Sequence, residues 1–187
     1  MGLNAKRFLP DQEAEKLFPI RGQTILVKGE AAIARTFTDF EEGDELVSLI
    51  SWCQNQMEKK SEVKLWNQAY VIPRPGSNTT ILGGCKQANN HSSEIDTDLT
   101  TRIVSRIKKN HLADEILGAD GNFQILGVQV GFRPGRKGGP RVEIDSQGKV
   151  DGVWLVHSYG HSGAGYQNSV GSAEKIVGLV AELRWMS

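Results

Sequence analysis

The stretch Val153-Trp154-Leu155-Val156-His157-Ser158-Tyr159-Gly160-His161-Ser162-Gly163-Ala164-Gly165-Tyr166-Gln167 decides the fold. Its first four residues are an apolar run flanked by valines, which reads as a β-strand. Glycines at 160, 163 and 165 end that run. Beyond them Val170, Ala173, Ile176, Val177 and Val180 recur at helical spacing. A strand feeding a helix through a glycine turn leaves backbone N–H groups pointing outward at a helix N-terminus, where the dipole favours an anion or a carbonyl-rich ring. The plainer reading is a tight connection that needs positive φ. The spacing is not a Gly-x-Gly-x-x-Gly fingerprint, and no Walker lysine accompanies it.

Upstream, 123–133 reads as a second strand, with Val128, Val130 and Phe132 alternating with Gln129, Gly131 and Arg133. A period of two puts Arg133 on the face opposite the apolar trio. Pro134 to Pro140 reads as a glycine- and base-rich loop, and Val142 to Ile144 as a short strand. Around 69–73 and 79–82 two strands flank the turn signal Arg74-Pro75-Gly76-Ser77-Asn78, which predicts a hairpin. A helix is predicted from Ser93, with a Ser-x-x-Asp start, Ile95, Leu99, Ile103 and Ile107 four apart, and Lys108 and Lys109 at its end. A further amphipathic helix is expected near 44–58, carrying Leu46, Leu49, Ile50, Cys53 and Met57. Thr24 to Val27 is β-rich. Residues 1–19, broken by Pro10 and Pro19, read as a connector with at most one helical turn. The class is α+β: a mostly antiparallel sheet with flanking helices.

Composition narrows the function. The chain has 187 residues, 39% apolar and 24% charged, enough for a sizeable core. Twenty-two basic residues balance 22 acidic ones, so no net charge draws the chain to nucleic acid or an acidic membrane. No run of about 18 apolar residues suggests a membrane span, and the start lacks a signal peptide's apolar stretch. Two cysteines are too few for a disulfide-stapled scaffold, so a soluble intracellular protein is expected.

Three constellations can carry chemistry. The first is the glycine turn at 160–165. The second is Gly131-Phe132-Arg133-Pro134, with Arg136, Lys137 and Arg141 behind it. An arginine at a strand's end before a proline can be held rigidly, and its planar fork grips a carboxylate through two parallel hydrogen bonds. The alternatives are a solvated basic loop or, lacking interleaved aromatics, a poor nucleic-acid patch. The third is Tyr70 at the start of a hairpin strand, whose hydroxyl can meet a ligand or simply be wetted at the edge of the core. His157 and His161 stand four apart without a third ligand nearby, so no metal is expected. No nucleophile elbow is present.

In order, these segments resemble the C-terminal half of the FAD-dependent D-amino-acid oxidase family, its fungal branch above all, with D-aspartate oxidase as a close relative. The matching pieces are Gly2-Leu3-Asn4-Ala5, Pro19-Ile20-Arg21-Gly22-Gln23-Thr24, Tyr70-Val71-Ile72-Pro73-Arg74-Pro75-Gly76, Leu82-Gly83-Gly84, Gly131-Phe132-Arg133-Pro134 with residues 136–143, and the run from His157 to Gln167. Residues 29–68 fall outside it and read as an insertion or lid-like segment. The resemblance implies that Arg133 clamps the substrate α-carboxylate and that the Tyr70 hydroxyl bonds the same group. It implies that Ser162, Gly163, Ala164, Gly165, Tyr166 and Gln167 lie against FAD, with Gly163 also facing substrate. Lys86, after Gly83-Gly84-Cys85, stands where relatives acting on acidic substrates carry a cation, which favours D-aspartate or D-glutamate. The alternative is that it reaches to solvent.

The implied reaction converts a D-amino acid and molecular oxygen to a 2-oxo acid, ammonia and hydrogen peroxide, with the cofactor supplying the chemistry. The implied layout places 1–19 and 148–187 in an FAD-binding Rossmann-like domain, the latter as a returning strand and helix, and 20–147 in the substrate domain. The family's glycine-rich βαβ unit is not found here, so the chain reads as a truncated half that holds FAD weakly. The 153–180 unit is then expected to expose an apolar face. Competing expectations are an inactive fragment, a subunit completed in trans by an FAD-binding half, a homodimer, or a basic-loop module unrelated to flavin. Peroxisomal location is implied by family and cytoplasmic location is the alternative, because Arg184-Trp185-Met186-Ser187 is not a Ser-Lys-Leu-like address.

Overall fold

A computed structural model describes residues 2–38 and 68–183. The helix expected near 44–58, with Cys53, lies outside the described residues. The chain divides into two compact units, 1–20 with 132–187, and 21–131. Two long strands, β1 (Leu17–Lys28) and β6 (Ile125–Arg136), run from one unit into the other.

In the 21–131 unit, β2 (Arg35–Thr38), β3 (Gln68–Arg74), β4 (Thr79–Gly83), β1 and β5 (Gln87–Ala88) follow one another across a sheet in that order, and β6 pairs with β1. The predicted hairpin is β3–β4, antiparallel with Arg74 opposite Thr79, and its turn uses positive φ at Gly76 and Asn78. Inward residues of three strands, Ile25, Val27, Val71 and Leu82, are buried with Leu99, Ile103 and Ile107 of the helix α2 (Thr97–Lys109). That i, i+4 stripe is the one the sequence shows.

The helix starts later than expected. Asp96, not Ser93, is its N-cap, and its carboxylate accepts the Leu99 N–H at 2.8 Å. The preceding residues are claimed elsewhere: the carbonyls of Ser92 and Glu94 accept hydrogen bonds from the buried Arg21 guanidinium, and Ile95 is left 52% exposed. Gln23, also buried, bonds the Asp96 backbone and Thr100, tying β1 to the start of α2.

In the other unit, a seven-residue 3-10 helix (Gly2–Phe8) and the single-turn α1 (Asp11–Ala14) precede β1, which already begins at Leu17, so residues 1–19 hold more helix than the one turn expected. Pro19 is therefore in a strand rather than a connector, upstream of the β4 pairing, which begins at Thr24. Strand β6 likewise continues through Pro134 to Arg136, so the expected loop shrinks to 137–140. The strand expected at 142–144 is the longer β7 (Arg141–Val150), paired antiparallel with β8 (Val153–Tyr159). Their tight turn is Asp151-Gly152, both with positive φ, a backbone that matches strand twist. The last helix, α3 (Ser169–Leu183), contacts both β7 and β8. Much of its apolar stripe is uncovered: Val170 and Val177 are each 68% exposed, and Val153 of β8 is 62% exposed. Among the described residues no helix is long and apolar enough to cross a membrane.

Candidate active site

Arg133 lies near the end of β6, where the strand is fixed from both sides. The next residues are tied down: Gly135 bridges antiparallel to His161, and the Lys137 N–H donates to the Lys16 carbonyl at 2.9 Å. Gly135 has no room for a side chain, because a Cβ there would stand 2.6 Å from the Phe18 ring. Across from this strand end, the chain leaves β8 through Gly160 at φ +82° and enters the turn Ser162–Ala164. Ser162 adopts φ +53°, a left-handed conformation that costs a non-glycine residue about 1 to 2 kcal/mol. Such strain persists where surrounding structure demands a particular path. His161 helps to fix that path by bonding Ser172 of α3 at 2.9 Å.

The turn brings Gly163 against Arg133. A Cβ on Gly163 would sit 3.7 Å from Arg133 Cδ, so the arginine stem runs directly beside this backbone. Arg133 is half-buried and, among the described residues, has no hydrogen-bond or ion-pair partner. Its neighbours differ. Arg136 donates to Glu13 at 2.7 Å and to the Gly139 carbonyl at 2.9 Å, and Arg141 donates to Glu143 at 2.6 Å and to the Tyr159 hydroxyl at 3.2 Å. The basic cluster read from sequence therefore resolves into two arginines committed to the fold and one left open.

Glu13, Tyr159 and Arg141 form a sheltered network under the same strands. Burial by itself would raise the Glu13 pKa, but hydrogen bonds from Arg136, Lys16 and Tyr159 hold it at about 2. Burial opposes the charge on Arg141, yet hydrogen bonds with Tyr159 and Glu143 raise its pKa. Burial pushes the Tyr159 hydroxyl up as well. No local pattern announces this network, because Glu13 lies 123 residues from its arginine. His157, considered as a metal ligand, bonds Asp145 at 2.7 Å.

The turn presents bare backbone. Gly163 and Gly165 are exposed, Tyr166 is 93% exposed, and a Cβ on Gly165 would meet nothing nearer than His161 Cβ at 3.8 Å. Such a bare backbone at the entry to α3 can accept a heterocycle edge on its N–H groups. Ser162 and Ala164 are half-buried beneath it, and Gln167 is exposed beside it.

Tyr70 and Lys86 belong to the 21–131 unit. Tyr70 is half-buried on β3, on the sheet face opposite α2, and its ring lies over Gly83, its register partner on β4. Lys86 is half-buried just after Gly84, a residue at φ +144° whose missing side chain lets the Gln68 carbonyl approach.

No protein-family model matches the chain. Among curated proteins, the D-amino-acid oxidase of Fusarium vanettenii is 32% identical over 170 residues, 90% of this chain and 40% of the relative. That of Schizosaccharomyces pombe is 41% identical over 109 residues, 57% of this chain and 30% of the relative. That of Streptomyces coelicolor is 28% identical over 180 residues, 96% of this chain and 45% of the relative. The chain is homologous to D-amino-acid oxidases. It spans less than half the length of these relatives. Among solved structures, glycine oxidase from Bacillus cereus superposes over 97% of this chain and 41% of its own, with TM-score 0.62 and 14% identity. Glycine oxidase from Geobacillus kaustophilus gives TM-score 0.54 over 89% of this chain and 36% of its own, at 16% identity. The fold is therefore shared with glycine oxidases, and the sequence kinship is to D-amino-acid oxidases.

Proposed function

We propose that this chain carries the substrate-clamping and ring-facing surfaces of an FAD-dependent D-amino-acid oxidase. The observation that carries the reading is Arg133: a half-buried guanidinium without a partner among the described residues, lying along the Gly163 turn. A guanidinium held at a strand's end costs little further ordering when a carboxylate arrives, and it donates to both carboxylate oxygens at once. The family resemblance gives Tyr70 the role of a carboxylate-binding hydroxyl, and gives Lys86 that of a cation for a second carboxylate when the substrate is D-aspartate or D-glutamate. The turn from Ser162 to Gln167 holds the flavin edge, and Gly163 leaves room for ring and substrate together. Bound FAD would supply the redox chemistry, a two-electron oxidation of the substrate amine with molecular oxygen as the final acceptor. The protein's part is orientation and exclusion of water, so no acid–base pair is required. In this reading residues 1–19 and 148–187 belong with the FAD-binding domain and 20–147 with the substrate domain.

The uncovered valines of α3 favour a second reading, in which oxidase activity requires a separate FAD-binding polypeptide. Both readings predict carboxylate binding at Arg133 and weak retention of FAD by the chain by itself. Titration of the chain with D-alanine, followed by NMR, should shift the signals of Arg133 and Gly163, and Arg133→Gln should abolish the shift. A visible flavin band retained through gel filtration would contradict the weak-FAD expectation. Peroxide formation only after addition of an FAD-binding half would select the second reading.

A further inference from the structure

The tip of β6 is anchored by a sheltered ion pair that lies on neither the substrate nor the cofactor surface. Glu13 of α1 and Arg136 of β6 meet at 2.7 Å, with side chains only 13% and 12% exposed. One carboxylate oxygen of Glu13 accepts both Arg136 Nε and the Tyr159 hydroxyl, the latter at 3.1 Å. The other holds Lys16 at 2.8 Å. The stem of Arg136 lies on Gly160, where a Cβ would stand 2.7 Å from Arg136 Cβ. Arg136 follows Arg133 by three residues, and Gly160 precedes Gly163 by three. Arg136 therefore touches both segments that make the Arg133–Gly163 contact, three residues away from it on each.

We propose that the Glu13–Arg136 pair, capped by the Tyr159 hydroxyl, is a positioning element that holds the Arg133 guanidinium against the Gly163 turn. The inference rests on the carboxylate-clamp reading of Arg133. Removing the Glu13 charge leaves a sheltered guanidinium uncompensated, and Arg136 must move outward to find water. Its stem then leaves Gly160, and the turn and strand tip lose their common anchor. A binding fork tolerates little of this, since small misplacements cost large factors in affinity. Glu13 and Arg136 act through Arg133 and touch no ligand themselves.

The test uses the full 187-residue chain and propionate, which carries the carboxylate of D-alanine without its amine. In Glu13→Gln the propionate dissociation constant should rise about 10-fold. The Nε–H resonance of Arg133 should move while that of Arg21, in the other unit, stays in place. Loss of fold stability by itself would not shift one arginine signal selectively. Should Glu13→Gln fail to fold, Tyr159→Phe decides, because it removes only the shared hydroxyl and should weaken propionate about 2- to 3-fold with a smaller shift at Arg133. Unaltered propionate affinity and an unmoved Arg133 resonance in the folded variant would overturn the inference. Arg133→Gln tests the underlying reading separately: wild-type affinity in that variant would overturn the clamp and the positioning role with it. If wild type shows no propionate binding, the clamp reading fails in this chain, and the Arg133 resonance in Glu13→Gln still decides whether the pair sets its position.

Discussion

The Tyr70 ring occupies the space above Gly83, its partner across the β3–β4 pair, and fills the position a Cβ would need. The tyrosine is thus held by the absence of a side chain opposite it. Gly83→Ala should destabilise the fold by about 1 to 3 kcal/mol, because the ring must leave its place and the flanking strands are already packed. Denaturant unfolding measures the loss. In Gly83→Ala with Tyr70→Ala the two costs should fall well short of their sum, since the second change removes the obstacle to the first.

The α2 stripe gives a steep contrast between neighbours in the pattern. Ile103 is 1% exposed in the core, and Ile103→Ala should cost about 2 to 5 kcal/mol. Ile95, eight residues earlier, is 52% exposed before the helix begins, and Ile95→Ala should change stability by less than about 0.5 kcal/mol. Asp96→Ala removes the cap and should cost about 1 kcal/mol. Thermal or chemical unfolding of the three variants checks the order.

These residues also show how far the sequence could be read. Leu99, Ile103 and Ile107 announce the buried face because a helix repeats its face every three to four residues. The hairpin is announced by Pro75-Gly76, because turn residues act locally. α2 starts after Asp96 rather than from Ser93 because Arg21, more than 70 residues away, holds the Ser92 and Glu94 carbonyls. Asp151-Gly152 is a local hairpin signal, and it joins a β7 that runs on to Val150, past the apolar Val142 to Ile144. At the candidate site, the place of Arg133 near a strand's end was legible from alternation and the following proline. Its contact with Gly163 was not, since residues 30 apart in sequence meet there through the left-handed turn at Ser162.

Acid should act through Glu13. Its carboxyl is held at about 2 against an ordinary 4.5. A lowered pKa means that the folded state binds the proton less readily than the unfolded chain. The stabilisation is therefore present above pH 4.5 and is lost as pH falls toward 2. The wild-type chain should lose stability across that window more steeply than Glu13→Gln, which has no proton to take up. Denaturant midpoints measured at intervals through the window, with both proteins in the same salt, test the difference.

Gly160 and Gly163 lie three residues apart, yet their alanine variants should behave in opposite ways. At Gly160 the backbone is at φ +82° and an added Cβ would press on the stem of Arg136, so Gly160→Ala combines backbone strain with a clash. It should cost about 1 to 3 kcal/mol and disturb the Arg136–Glu13 pair. At Gly163 the conformation needs no glycine, and a Cβ would reach Arg133 Cδ only at 3.7 Å, an ordinary contact. Gly163→Ala should therefore leave stability within about 0.5 kcal/mol of wild type. What it adds is a methyl group on the backbone proposed to lie between ring and substrate. Carboxylate binding at Arg133 should weaken in this variant although its unfolding curve overlays that of wild type. A variant equally stable and equally able to bind propionate would show that Gly163 was kept for neither fold nor ligand, and would move the proposed surface away from this turn.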